Sequence, residues 1–425
     1  MILINEAGES PAFIKSVLKE ELILNIKRNL ELLAPAGDME RLEMALHYGA
    51  DAVYLAGKTF GMRAAAGNFD NDLLRGAVEM SHSAGTKVYV TVNTIPHEDE
   101  ISHLPDYLDF LQQSNVDAMI IADLGVMRLA KQYAPNVPVH VSTQLGVLNS
   151  ETARALYELG AKRIVLARET SLKEIEKIHR NIPEDLEIEA FVHGAMCVSF
   201  SGRCLLSNYL TGRDANRGAC AQPCRWKYHL VEESRPGEYF EISEDGGTHI
   251  LNSRDMCMIE HLPELIDAGV TSFKIEGRMK SAYYAAATTN AYRHALDSAV
   301  AGRELEDCWI REMDMVSHRP YSTGFYYGMP GQHYPESSYF SDADVCGVVE
   351  SCDENGYAVI AQRNKFSVGD TVDLMTRDHE PVSFQVESMK NEADEDIQSA
   401  PHATMKVKMQ LPFSCEPLSI LRKIK

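Results

Sequence analysis

The sequence predicts an α/β protein: a (β/α)8 TIM-like barrel with a long cysteine-rich insertion after its seventh strand, then a small C-terminal β-barrel domain. Three observations predict it. From Glu31 onward, eight short apolar runs alternate with amphipathic segments. The connection between the seventh and eighth runs is far longer than the others and begins with a cluster of cysteines. Beyond residue 340 the helical pattern gives way to short strands and turns.

Residues 1–28 read as an N-terminal extension and 29–317 as the barrel. The eight expected strands are 31–37, 52–57, 87–93, 118–125, 139–146, 163–168, 186–194 and 272–279. Most are near-continuous apolar runs, as parallel strands covered on both faces require. The segments between them carry helix signals: an acidic start in DMERLEMALHYGA, a leading Ser in SETARALYELGA, and Ser171 with Glu174 as a capping box. An open doubly wound sheet is the alternative, but the first turn, APAGD, lacks a glycine-rich phosphate loop. The insertion spans 195–255, and the seventh helix is expected over roughly Met256–Ala268. The eighth helix follows Ser281. A Pro-, Gly- and Tyr-rich connector covers 318–340, and the tail domain covers 341–425, with a hairpin at Asn355-Gly356. In such barrels the loops after the strands form the functional face, so the insertion belongs at the mouth.

The chain has 425 residues and a net charge of −21. That length suits a barrel with an appendix, and that charge argues against a uniformly basic surface without excluding a basic patch. The first residues lack the pattern of a secretory signal, and no apolar run reaches the roughly 18 residues of a membrane span, so a cytoplasmic protein with no membrane partner is expected. Clustered thiols in a reducing compartment point to metal or chemistry rather than disulfides.

Six residues separate Cys197 from Cys204, fifteen more lead to Cys220, three to Cys224, and Cys257 lies farther on. No repeated Cys-x2-Cys pair marks a zinc finger. A Cys-x3-Cys-x2-Cys radical-enzyme signature fails because its third position is Lys227. Four thiolates from one loop and the next helix can still enclose an iron–sulfur cluster, with zinc as the alternative metal. Residues 203–227 also hold Arg203, Arg213, Arg217, Arg225 and Lys227 against the single acid Asp214. Beside Trp226 and Tyr228 they suit RNA, or they merely balance a negatively charged cluster. Individually, each cysteine also reads as a small buried hydrophobe.

HGAMCVSFSGRCLLSNYLTGRDANRGACAQPCRW, NSRDMCMIEHLPELIDAGVTSFKIEGRMKS, ELLAPAGDMERLEMALHYGADAVYLAG and HRPYSTGFYYG resemble the signature regions of the peptidase U32 family. The resemblance covers about residues 29–420. It implies one of two activities: collagenase-like proteolysis, or RNA hydroxylation. One branch of the family makes 5-hydroxyuridine at the tRNA wobble position using prephenate. The hydroxylase members carry a [4Fe–4S] cluster, and their ligand pattern falls on Cys197, Cys204, Cys220 and Cys257, with Cys224 as an alternate fourth ligand. tRNA and a small dicarboxylate are the partners so implied. So acidic a chain also accommodates a paralogous or homo-oligomeric partner that supplies phosphate contacts.

Strand ends offer polar groups at the mouth: Asn93, Asp123, Ser142, Gln144, Arg168, Glu169, His193, Glu276 and Arg278. His193, Glu276, Arg278 and Arg168 are the candidate catalytic residues, the two arginines as forks for carboxylates. Arg213, Arg217, Arg225 and Lys227 are the candidate RNA contacts. The peptidase alternative needs an activated nucleophile, for which Cys197 near His193 is the available pair; neither HExxH nor GxSxG occurs. A third alternative is a non-catalytic binding protein whose metal closes the long loop.

Overall fold

The computed structural model describes residues 30–62, 67–197, 199, 204–226, 230–231, 239–240, 253–331 and 339–425. The N-terminal extension, much of the insertion after Trp226, and the side chains of Arg203, Lys227 and Tyr228 lie outside them. Strands β1 (Glu31–Pro35), β2 (Ala52–Leu55), β3 (Lys87–Val92), β4 (Ala118–Ile121), β5 (Val139–Val141), β6 (Ala161–Val165), β7 (Glu187–Ala195) and β8 (Ser272–Ile275) pair in parallel in that order. β8 pairs with both β7 and β1, which closes the barrel.

Alternation divides each strand's side chains. Leu33, Ala52, Tyr54, Tyr89, Ala118 and Ile120 form an inner cluster. Leu32, Ala34, Val53, Val88 and Ile121 join the larger core beneath the helices. The helices are α1 (Met39–His47), α2 (Asn71–Ser83), α3 (Leu104–Gln113), α4 (Leu124–Tyr133), α5 (Ser150–Glu158), α6 (Leu172–Arg180), α7 (Leu262–Asp267), α8 (Ala282–Ala301) and α9 (Asp307–Met315). Asp38, Asp70, Asp123 and Asn149 each accept the backbone N–H three residues on, satisfying a donor the helix itself cannot pair. Ser171 and Glu174 form the expected capping box.

Several expected runs end early, 139–146 at Val141 and 272–279 at Ile275 among them, and two stretches change in kind. The run 118–125 leaves the sheet after Ile121, because Asp123 caps α4 and its carboxylate fixes the turn. The segment read as the start of the seventh helix is a strand: Asp255–Cys257 runs antiparallel to β7, and α7 begins only at Leu262. A short apolar run such as MCMI suits either period, and the open edge of β7 selects the strand.

Inside the barrel, below the mouth, lies a charged layer. Arg163 Nη1 is 2.5 Å from Glu31 Oε1 and 3.3 Å from Glu189 Oε2, and Lys274 Nζ is 2.7 Å from Glu189 Oε1. Tyr89 and Ser272 donate to Glu31 as well. Burial pushes the Glu31 carboxyl up, but Arg163 together with the hydrogen bonds from Tyr89 and Ser272 holds it below its ordinary range.

The tail forms an antiparallel half-barrel from β9 (Ala343–Cys352), β10 (Tyr357–Gln362), β11 (Thr371–Met375), β12 (Val382–Gln385), β13 (Lys406–Gln410), β14 (Ile420–Ile424) and two short strands. β9 and β10 make the hairpin read at Asn355-Gly356. Val348, Met375 and Ile420 share one core with the barrel's helical layer. Buried Arg422 forks onto Glu312 of α9 at 2.5 and 2.6 Å.

Candidate active site at the barrel mouth

A cavity of about 170 Å³ opens at the C-terminal ends of the strands. Its floor comes from strand interiors: Tyr54, Thr91, Ile120, Val165, Phe191 and Lys274. Its wall comes from the following loops, which place Asn93, Ser142, Gln144, Arg168, Glu276 and Arg278 against it. Its roof is the insertion, which contributes Cys197, Cys204, Cys220 and Cys224.

Two glycines permit the wall to close. A Cβ on Gly37 would stand 2.2 Å from the Arg278 carbonyl oxygen. Gly194 has φ +110°, and a Cβ there would stand 2.3 Å from the Glu276 carbonyl oxygen. The first turn and the His193-Gly194 step therefore hold the Glu276–Arg278 loop in place through close backbone approach.

Arg168 Cζ lies over the Phe191 ring, 4.0 Å from its centroid. Its Nη1 donates to the Ala195 carbonyl at 2.8 Å and its Nη2 stands 3.3 Å from Glu276 Oε2. Arg278 is buried, with Nη1 donating to Thr91 Oγ1 at 3.0 Å. Lys274 Nζ lies 4.4 Å from the Tyr54 ring centroid. The wall thus carries two guanidiniums against the carboxylate of Glu276, while Lys274 is neutralised from below by Glu189. Such a wall suits an anion better than a cation.

The roof is tied down locally. Arg217 Nη2 meets Glu100 Oε1, in the loop after β3, at 2.7 Å. Asn216 Nδ2 donates to the Cys204 carbonyl at 3.3 Å, and the Ala221 N–H donates to Ser207 Oγ at 2.9 Å. The Gln222 N–H points at Cys220 Sγ from 3.3 Å. Burial pushes the Cys224 thiol up; neighbouring Arg225 opposes this, and Cys197, Cys220 and Cys204 add to it. All nine cysteines are free thiols. Among the described residues no three His, Cys, Asp or Glu side chains converge tightly enough to share one ion.

The sequence-derived candidates divide clearly. Arg168, Glu276 and Arg278 line the cavity wall, and Cys197, Cys204, Cys220 and Cys224 border it from the insertion; Cys257 is not among its lining residues. Its strand pairs with β7, its Sγ lies 3.7 Å from Tyr292 OH, and burial pushes its thiol up to about 11. His193 does not reach the cavity either. Only 1% exposed, its ring packs among Tyr284, Tyr292 and Tyr321, and burial lowers its pKa to about 3. It stays neutral near pH 7 and makes no nucleophile–base pair with Cys197. Asp123 is a helix cap rather than a wall residue.

Of the RNA candidates, Arg217 is engaged by Glu100, Arg213 Nε donates to the Ala219 carbonyl, and Arg225 reaches Tyr339. Lys227 lies outside the described residues. Thr91, Tyr54 and Phe191 were missed as cavity residues. Counting back by two from Asn93 would have found Thr91, because alternate residues of a strand share a face.

Fold and site together define a (β/α)8-barrel protein whose mouth is roofed by a four-cysteine insertion over a cationic wall. The chain belongs to peptidase family U32: residues 37–335 match that family, and residues 341–422 match the peptidase family U32 C-terminal domain. It is 38% identical over 416 residues to tRNA hydroxylation protein P1 of Bacillus subtilis, covering 95% of this chain and 98% of that protein. It is 35% identical over 430 residues to tRNA hydroxylation protein P of Escherichia coli, covering 91% and 94%. It is also 34% identical over 313 residues to a protein named collagenase from Porphyromonas gingivalis, covering 71% and 74%. Among the described residues no helix is long and apolar enough to cross a membrane.

Proposed function

We propose that this chain hydroxylates RNA, at C5 of the wobble uridine of tRNA, with a [4Fe–4S] cluster at the barrel mouth and prephenate as co-substrate. One observation carries the reading: four cysteines of a single insertion and two buried arginines border the same cavity. The two relatives that match nearly end to end, both named for tRNA hydroxylation, support the choice of RNA.

The donor set fits a cluster. All four groups are thiols, they come from one roof, and Arg225 stands next to Cys224 to offset thiolate charge. Four cysteine thiolates are the ligand number of a [4Fe–4S] cluster. Cys197, Cys204, Cys220 and Cys224 are the proposed ligands, and Cys257 is not among them. When bound, the cluster supplies redox chemistry above the wall. Arg278 and Arg168 bind the carboxylates of the dicarboxylate, with Glu276 holding Arg168 in orientation. Phe191, Ile120 and Tyr54 keep the floor apolar and exclude water. The peptidase alternative loses its base, because His193 faces away from Cys197.

Anaerobic purification with iron and sulfide analysis tests the ligand set. Cys224→Ser should lose most of the iron and sulfide, whereas Cys257→Ser should keep them; the opposite pattern would restore Cys257 as the fourth ligand. Nucleoside mass spectrometry of tRNA from a deletion strain, complemented in turn by wild type and Cys224→Ser, tests the activity. Equal levels of 5-hydroxyuridine-derived nucleosides in all three strains would reject it.

A further inference from the structure

Beside the cavity mouth lies a smaller cationic site built from two different loops. Arg225 lies in the roof after β7, directly after Cys224. Lys280 follows β8, two residues after Arg278. Both meet on one ring, Tyr339. Arg225 Nη1 is 2.5 Å from Tyr339 OH, and Lys280 Nζ lies 4.2 Å from the Tyr339 ring centroid. Arg319 Cζ is 6.0 Å from the same centroid.

Among the described residues the charges around this ring do not balance. Asp255 is the carboxylate that acts on Lys280, and it is already committed to Arg319, at 2.7 Å to Nη2 and 3.1 Å to Nε. Among the described residues Arg225 and Lys280 meet only neutral acceptors. These are Gln222 Oε1 at 3.1 Å and Tyr339 OH for Arg225, and the Ser317 carbonyl at 2.8 Å for Lys280. Burial, then Arg225 and Arg319, bring the Lys280 ammonium down to about 8 against the pull of Asp255. A ligand with negative charge relieves that repulsion, and a neutral or cationic one does not.

Position narrows the anion to a phosphate. In (β/α)8 barrels the loops after the seventh and eighth strands frequently hold one, and these two residues come from those loops. The Tyr339 ring and the neighbouring Trp226 ring are each 42% exposed, which leaves aromatic faces beside the charge. Cations next to open rings recognise single-stranded nucleic acid, the backbone by charge and the bases by stacking.

We propose, on the footing of the RNA reading, that Arg225 and Lys280 grip one backbone phosphate of the RNA strand whose target base enters the cavity, with Tyr339 and Trp226 offered to a flanking base. The grip sets the register of the strand and carries no base specificity.

Fluorescence anisotropy of a labelled, unmodified anticodon stem–loop RNA, titrated with the full-length iron-loaded protein at several KCl concentrations, tests this. Lys280→Gln should weaken binding about tenfold at low salt and reduce the slope of log K against log salt by roughly 0.7. Lys280→Arg should restore most of both, and Arg225→Gln should repeat the loss independently. Iron and sulfide should match wild type in Lys280→Gln. If wild type binds the RNA while Lys280→Gln and Arg225→Gln keep its affinity and its slope, the phosphate site is wrong and the RNA reading stands. If wild type fails to bind the RNA at any salt concentration, the RNA reading falls and the phosphate site with it.

Discussion

Two charged layers lie one above the other inside the same barrel, and they are built on opposite terms. In the lower layer buried Arg163 and Lys274 face buried Glu31 and Glu189, and with the more exposed Glu187 on Arg163 and Lys87 on Glu31 three cations meet three acids. In the upper layer Arg168 pairs with Glu276 at 3.3 Å and Arg278 donates to Thr91, and all of these side chains line the cavity. A closed count belongs to a structural plug, because a buried charge without its partner is strongly destabilising. A layer that borders a cavity belongs to a binding wall, where guanidinium forks are placed to meet a ligand's carboxylates.

The sharpest way to break this contrast is at Glu189, which is fully buried and touches both lower cations. Glu189→Ala should cost about 3–5 kcal/mol of stability, read by urea unfolding, because two cations lose a shared partner at once. A loss below about 1 kcal/mol would mean that the lower layer is not the plug described. Arg278→Lys asks the converse question above. It keeps the charge and loses the fork, so kcat/KM for the dicarboxylate should fall roughly 10–100-fold while stability shifts by less than about 1 kcal/mol. Unchanged turnover with a large stability loss would make the upper arginine as structural as the lower one. The smallest effect belongs to Lys87, whose Nζ approaches Glu31 Oε2 to 3.9 Å from a side chain 60% exposed. Lys87→Ala should change stability by less than about 1 kcal/mol, and less still in high salt. A larger effect would show that the lower layer depends on charge from outside the barrel.

The eight strands could be read from the sequence because burial on both faces leaves continuous apolar runs, and the insertion because its length broke the rhythm. The mouth was legible in its residue types but less so in their directions. Arg168, Glu276 and Arg278 reach the cavity as strand ends should. His193 has the same position in the pattern yet turns outward onto α8. A register irregularity in the β7–β8 pairing at this point exchanges faces, which no one-dimensional period reveals. The stretch from Met256 reads equally as the start of a helix or as a strand. Only the antiparallel pairing with β7, a contact distant in sequence, makes Asp255–Cys257 a strand.

The core shared between the helical layer and Val348, Met375 and Ile420, together with the Arg422–Glu312 fork, bears on how this molecule is handled at the bench. Trimming the chain near residue 341 would strip apolar cover from α1 and α8, the helix that immediately follows the Glu276–Arg278 loop. A shortened barrel is thus a poor stand-in for the whole protein, and proteolytic nicking at this junction would be expected to show first as lost solubility.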